Sequence, residues 1–570
     1  MLDRLPPAPL APLALIALAL ALAVPRTGLS QSPTPSTPPS AGVPTLPQAQ
    51  ALMRQGKFTE AAAKLAQLVR AQPDDPKAWI WYARALGRSG KSDEALEAYR
   101  RAATFDENRG AAYYGIGLLF AVGESADSAF HYLALARSTG KWDLTGLDRD
   151  PRSTNLRQDE RYRSLFPSDS EFAHPFLEQA TIIREWDGEA IGDQFGWIAR
   201  NIGDVDADGV NDVTTSAPSK NIGGGWAGRV YVYSSGTGEL LWSRSGTPGS
   251  QLGIGIEAAG DVDADGVPDV IAGAPGEGKA YVFSGNDGRI LLTLEATDSG
   301  VGFGRKVTDL GDLNGDGHAD VLVGAPAAHN GTGSAFVYSG SDGALLFTFS
   351  GEREGDNFGS AAGGWHRGDH TIIAIGAPNA GPGNGGQVYV YRGLSDQPAF
   401  VMKSDEGSRQ MGAMFVSVVG DVDADGTPDV YASDWAHAGG GPFTGRIFVA
   451  SGATGEPLMV KTGEAAGDGF GIGAADAGDI DRDGHDDLIV GAWQHRGKAP
   501  SGGKSYLYSG RDGHLMRSLT GTVPGETFGF DATGMGDVDG DGIADLLITS
   551  ARSAKGGTWT GRVFIISGKE

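Results

Sequence analysis

Seven hydrophobic-glycine pairs mark out the larger part of this chain: Phe195-Gly196, Leu252-Gly253, Phe303-Gly304, Phe358-Gly359, Met411-Gly412, Phe470-Gly471 and Phe528-Gly529. They stand 51 to 59 residues apart, room for four short strands and their turns. The third unit shows all four, at Lys306 to Leu310, Ala319 to Val323, Ser334 to Tyr338 and Ala344 to Phe349. Such a sheet cannot bury both of its faces alone, so the units are expected to close radially into an all-β ring of seven blades over 181–570. Closure itself is legible. Six units are followed by a strand such as Glu239 to Ser243, whereas the last stops at Ser567-Gly568-Lys569-Glu570. Thr181 to Trp186 precedes Phe195-Gly196 as Ala344 to Phe349 precedes Phe358-Gly359, and is expected to complete the seventh blade and remove a free edge.

Six of the units also carry a nine-residue Asp/Gly pattern after their first strand. Oxygens at positions 1, 3, 5 and 9, with the carbonyl of position 7, can wrap one hard cation, and the glycine at position 6 permits the sharp turn between them. The candidate ligands are Asp204, Asp206, Asp208, Val210 and Asp212 in the first loop, and Asp261, Asp263, Asp265, Val267 and Asp269 in the second. The third supplies Asp312, Asn314, Asp316, His318 and Asp320, and the fourth Asp421, Asp423, Asp425, Thr427 and Asp429. Asp479, Asp481, Asp483, His485 and Asp487 make the fifth; Asp537, Asp539, Asp541, Ile543 and Asp545 make the sixth. A lone copy reads equally well as an Asx-type turn, but six at fixed spacing point to about six structural Ca2+ ions. An EF-hand needs Glu at position 12; here that place holds Thr215, Ala272, Val323, Ala432, Val490 or Ile548, inside strand-like runs.

The net charge of −25 opposes nucleic acid and anionic membrane as partners, and 23 of the 71 acidic residues are the loop aspartates. Without cysteine there are no disulfides, thiolate metal sites or cysteine nucleophiles. Residues 1–30 read as an export signal, with Arg4 before an apolar run from Leu10 to Val24 and a cleavage site near Ala21-Leu22-Ala23; an uncleaved anchor is the alternative. An exported, extracellular, cell-surface or periplasmic location follows. The Pro/Ser/Thr-rich stretch 31–47 reads as a flexible linker.

Over 48–140 the pattern turns helical, with a 34-residue step that sets Gly56-Lys57-Phe58-Thr59-Glu60-Ala61 against Gly90-Lys91-Ser92-Asp93-Glu94-Ala95. Trp79, Tyr82, Leu86, Ala95 and Tyr99, then Tyr113, Gly117 and Ala129, alternate large and small residues as paired helices require. This resembles the tetratricopeptide repeats, which implies a surface for a peptide or protein. Residues 141–180 read as a connector with a short helix at Gln158 to Leu165, packing on one domain or the other.

Gly273-Ala274-Pro275, Gly324-Ala325-Pro326 and Gly376-Ala377-Pro378 end the second strands. Together with the Phe-Gly openings they resemble the FG-GAP repeats of integrin α-chain β-propellers. That resemblance implies metal loops on the lower face of the ring and ligands on the upper one.

The fourth unit has lost its metal loop, holding Gly363-Gly364-Trp365-His366-Arg367-Gly368-Asp369-His370 instead. Its Arg367-Gly368-Asp369 matches the tripeptide integrins recognise, and reads as a hairpin turn. The loops between second and third strands are long in blades 5, 6, 7 and 1, where Trp435, Trp493, Trp559 and Trp226 are expected to form one aromatic patch opposite the metals, a site for a protein or glycan ligand. The alternative is that they only pack the loops. No Gly-x-Ser-x-Gly or His-Glu-x-x-His occurs, so no catalytic residues are assigned. The chain reads as an exported calcium-binding adhesion or ligand-binding propeller. An assembly scaffold using the helical repeats, or a propeller enzyme of quinoprotein or hydrolase type, are the alternatives.

Overall fold

The structure, a computed structural model, describes residues 43–296, 302–368 and 370–569. The signal segment, most of the expected linker and Asp369 of the Arg-Gly-Asp tripeptide lie outside the described residues.

Among the described residues six helices come first: α1 (Leu46–Arg54), α2 (Phe58–Ala71), α3 (Pro76–Arg88), α4 (Ser92–Ala103), α5 (Arg109–Val122) and α6 (Ala126–Ser138). The first begins two residues before position 48, because Pro47 falls in its first turn, where a missing N–H costs nothing. The Gln48 side chain accepts the Thr45 amide there at 3.2 Å. Asp75 caps α3 by accepting the amides of Lys77 and Ala78 at 2.9 and 3.2 Å. The helices pair closely because small residues face large ones. A Cβ on Gly115 would lie 2.3 Å from Tyr99, and one on Gly117 2.8 Å from Leu133.

The connector holds little regular helix. It runs through 3-10 turns at Thr145–Arg149, Pro151–Leu156 and Tyr162–Leu165 to a short helix, α7 (Asp169–Ala173). Of the helix expected from 158 only the last four residues form, as a 3-10 turn. The connector packs on both neighbours. Leu144, Leu147, Leu156 and Leu165 share a core with Leu118, Phe130 and Leu133 of the helices. Phe172 shares another with Val523 and Ala554 of the ring, and the Phe176 ring sits 4.5 Å from Phe528.

Among the described residues the ring consists of seven antiparallel four-stranded sheets, six of them meanders whose neighbours in sequence are neighbours in space. In blade 3 the strands are Lys306–Gly311, Asp320–Ala325, Ser334–Tyr338 and Leu345–Ser350. Blade 7 is closed by Ile182–Asp187, which pairs with Arg562–Ile566 in the register Trp186↔Val563. The expected closure is therefore present. Both repeated motifs serve blade-to-blade contact. The Phe-Gly aromatics are buried, and a Cβ on Gly273 would come within 1.6 Å of the carbonyl oxygen of Gly304 in the next blade, so backbone touches backbone there.

First strands line the central channel. There Arg200 of blade 1 pairs with Asp531 of blade 7 (2.5 Å) and Glu257 of blade 2 (2.9 Å), and Glu257 reaches Lys306 of blade 3 at 3.6 Å. Among the described residues Asp309, also in blade 3, has no cationic partner in that network and bonds only backbone amides, including Gly311 at 2.9 Å. Burial pushes its carboxyl from 3.8 up to about 6, with Glu257 and Asp320 adding to the shift. The folded state therefore holds this proton more tightly than the unfolded one. The stabilisation is present below about pH 4 and is lost as pH rises through about 6. Asp309→Asn is expected to match the parent at about pH 4 and exceed its stability at about pH 7.5 by about 1–3 kcal/mol, read from paired denaturant titrations.

Candidate functional site

All six Asp/Gly loops join first to second strands and so emerge on one face of the ring, beside the turns that follow the third strands. In the first loop Asp204 accepts the amides of Asp208 and Gly209 (3.2 and 2.9 Å), and Asp208 accepts that of Val210 (2.9 Å). The φ of +90° at Gly209 makes this wrap possible. Position 9 has a second duty. Asp212 is fully buried, with one oxygen accepting the Val205 amide at 2.9 Å and the other the Ser235 amide at 3.0 Å from the turn between third and fourth strands. Asp269, Asp320, Asp429, Asp487 and Asp545 repeat this double bond, the second donors being Gly285, Gly340, Gly452, Gly510 and Gly568.

The loop carboxylates converge. Asp204, Asp206 and Asp212 present oxygens within 4.8 Å of one another, as do Asp261, Asp263 and Asp265; Asp421, Asp423 and Asp425; Asp479, Asp481 and Asp483; and Asp537, Asp539 and Asp545. In the third loop Asn314 donates to Asp316 at 3.0 Å and accepts its amide at 2.9 Å, so an amide holds the place of a carboxylate. Position 7 contributes backbone only. The His318 and His485 rings turn away, each bonding a carbonyl in a loop of another blade, Val262 (2.7 Å) and Val422 (2.8 Å). Burial, with neighbouring aspartates adding to it, pushes Asp212, Asp269 and Asp487 up to about 6 and Asp429 up to about 7. Such clusters of carboxylate oxygens can hold a divalent cation, and an all-oxygen donor set suits a hard one. Blade 4 has no such loop: Ala361–Arg367 turns directly into His370–Ala377, with Arg367 paired to His370.

The opposite face carries the long loops, but not as one open aromatic patch. Trp493 is only 7% exposed and packs edge-on to Phe530 (5.5 Å). Trp435 stacks on Phe443 at 5.7 Å and joins the Trp493 cluster, whereas Trp226 lies outside it, in a small hairpin with Asn221. Trp559 is covered by the connector, with the Arg149 guanidinium 3.9 Å from its ring. The neighbouring Thr558 hydroxyl bonds the Thr145 carbonyl. The loops are pinned from below. His437 is fully buried, accepting the Gly439 amide at 2.9 Å and donating to Asp405 at 2.8 Å.

Sequence reasoning passed over two residues that matter on this face, Arg552 and Arg149. Arg552 carried only a partial signal: the place of Pro275, Pro326 and Pro378 in the Gly-Ala-Pro elements is taken by Trp435 and Trp493 in blades 5 and 6 and by Ala551 in blade 7, with Arg552 one residue beyond it. Arg149 carried none, since its role arises from docking of the connector.

With this geometry the class of protein is defined: a seven-bladed β-propeller built of FG-GAP repeats and preceded by tetratricopeptide repeats. Family profiles agree. The Tetratricopeptide repeat profile matches residues 46–110, the FG-GAP-like repeat profile 261–323, and the FG-GAP repeat profile 195–233 and 530–566. Among curated proteins the chain is similar to integrin alpha-E of Mus musculus, 33% identical over 173 residues, covering 26% of this chain and 15% of that protein. Integrin alpha-2 of Bos taurus is 34% identical over 165 residues, covering 25% and 14%, and integrin alpha-6 of Homo sapiens 30% over 162 residues, covering 26% and 14%. The chain thus spans about a seventh of the length of these relatives. Among the described residues no helix is long and apolar enough to cross a membrane.

Proposed function

We propose that this chain is an exported, calcium-organised binding propeller that engages a protein ligand on the face opposite its metal loops, at the cell surface or outside the cell. The observation that carries the reading is the division of labour between the two faces. One face holds carboxylate clusters whose oxygens lie within 4.8 Å, while the other presents long loops fixed by buried anchors such as His437. Rigid loops that display aromatic side chains suit recognition of a protein surface. Phe443 is the clearest such side chain, 39% exposed and held at φ +58° against Trp435. The likeness to integrin α-chains supports the same reading, and the apolar run of residues 10–24 supports export.

A scaffold acting mainly through its helical repeats is less well supported. Trp142 of the connector lies 5.5 Å from Tyr114 of α5 and 5.8 Å from the Arg84 guanidinium of α3, so the chain itself covers part of that surface. A pull-down with the full chain on secreted and envelope fractions tests the proposal. A protein captured in calcium, released by chelator and lost in Trp435→Ala/Phe443→Ser supports it. Capture unaffected by that double change moves the contact away from this face.

A further inference from the structure

In blades 5 and 6 the residue after the second strand is not proline but Trp435 and Trp493, and in blade 7, where Ala551 holds that place, the next residue is Arg552. Blades 6 and 7 bring the last two together with Trp559. The Arg552 guanidinium lies 4.5 Å from the Trp493 ring and 4.9 Å from the Trp559 ring, so indoles flank it. Arg149 of the connector adds a second guanidinium at the same Trp559 ring, 3.9 Å away. Among the described residues no carboxylate pairs with either arginine, and Arg552 Nε has no hydrogen-bond partner. The contrast with Arg562, ten residues on, is sharp: it faces Glu526 at 2.9 Å and Glu185 at 2.8 Å. In a chain with 71 acidic residues against 46 basic ones, two unneutralised guanidiniums against one indole are conspicuous. Burial, with the Arg149 charge adding to it, holds the Arg552 guanidinium down at about 10, and a bound anion would relieve this.

The backbone at this point is strained as well. Trp559 sits at φ +59°, a region that bulky residues seldom occupy, while the corresponding loop place in blade 4 holds Asn384 at +56°. Keeping an indole there costs energy that its contacts with the two arginines offset.

We propose that Arg149 and Arg552 form a carboxylate site for an acidic side chain of the protein ligand, located where the connector meets blades 6 and 7. This deepens the binding function proposed above and rests on it. Guanidinium groups held by ring contacts keep their planar forks ready for two parallel N–H···O bonds to one carboxylate. A protein side chain fits better than an acidic sugar. Trp493 is buried against Phe530 and Arg552, and Trp559 already carries two guanidiniums, so little free indole surface remains for a sugar ring.

The test uses the calcium-loaded full chain at low salt, titrated by calorimetry with a capped hexaglutamate peptide, a capped hexaglutamine peptide and polygalacturonate. Hexaglutamate alone is expected to bind, and Arg552→Gln or Arg149→Gln to weaken it by about tenfold or more, with Arg552→Lys falling between. Arg149 is exposed, so its variant answers the question even if Arg552→Gln disturbs folding. Absence of hexaglutamate binding, or the parent's affinity retained in both glutamine variants, overturns the proposal. Arginine-dependent binding of polygalacturonate in preference to the peptide overturns it in favour of an acidic saccharide. A ligand protein captured equally by parent and Arg149→Gln would sink this site while leaving the binding function intact.

Discussion

Chelation of the calcium-loaded protein is expected to lower the propeller's melting temperature by about 5–15 °C. Ca2+ sites of extracellular type bind with Kd near 10⁻⁴ to 10⁻³ M, so about 1 mM calcium contributes about 0.4 to 1.4 kcal/mol per site. Six sites then sum to a few kcal/mol, a large share of an ordinary folding free energy. The loops also explain why loss of the ion spreads beyond them. Five position-9 aspartates tie their loops to the turn between third and fourth strands, as Asp429 does through Val422 (2.8 Å) and Gly452 (2.9 Å), and Asp545 ties its loop to Gly568 after the last strand. Removing the cation leaves charge crowded around that fully buried group, whose carboxyl burial already pushes up to about 7. Within one loop, Asp429→Ala should therefore destabilise more than Asp425→Ala, because only the former strips a bond acceptor from two buried amides. Blade 4, with a direct hairpin, should keep its hydrogen-exchange protection in chelator longer than its neighbours. A melt unchanged by chelator would remove calcium from any structural role.

The period of the chain makes the ring legible in the sequence. Regular spacing of Phe-Gly pairs and Asp loops specifies blades because both motifs answer local demands: a backbone approach that only glycine allows, as at Gly273, and a turn that only an Asp/Gly pattern closes. Blade closure was legible for the same reason, since a missing fourth strand leaves a gap that Ile182–Asp187 fills. What periodicity could not reveal is how the non-repeating part sits on the repeating one. The connector is a run of 3-10 turns without hydrophobic period, and its contacts span hundreds of residues, such as Thr145 with Thr558. Hence an aromatic patch expected to be open is partly interior. Trp493 is buried by packing from the neighbouring blade, Trp559 is covered by Arg149, and Trp226 lies apart. The metal loops needed only their own residues to be found; the arginine pair needed the docked connector.

The same joint sets the second large expectation. Arg562→Ala should cost about 3–5 kcal/mol, because it strands a buried carboxylate. Arg562 is fully buried in the last strand of the ring, and Glu526, its partner at 2.9 Å, is 1% exposed. A second nitrogen meets Glu185 at 2.8 Å, on the closing strand, and reaches the Phe172 carbonyl of the connector at 3.3 Å. One side chain thus fastens blade 7, the strand that closes it and the segment carrying the helical repeats. Its guanidinium also lies 4.5 Å from the Phe564 ring, so a lysine could not replace both its fork and its planar face. Arg562→Lys is accordingly expected to recover only part of the loss, and Arg562→Met/Glu526→Gln to recover more, since no buried charge is then left unpaired. Denaturant titration reads these differences. Limited proteolysis adds a local readout: release of the closing strand should expose the chain around Leu177, now bonded through its amide to the Thr520 carbonyl at 2.9 Å. A loss below about 1 kcal/mol, with no new cleavage there, would mean that the blade closes without this arginine and that the Ile182–Asp187 pairing suffices.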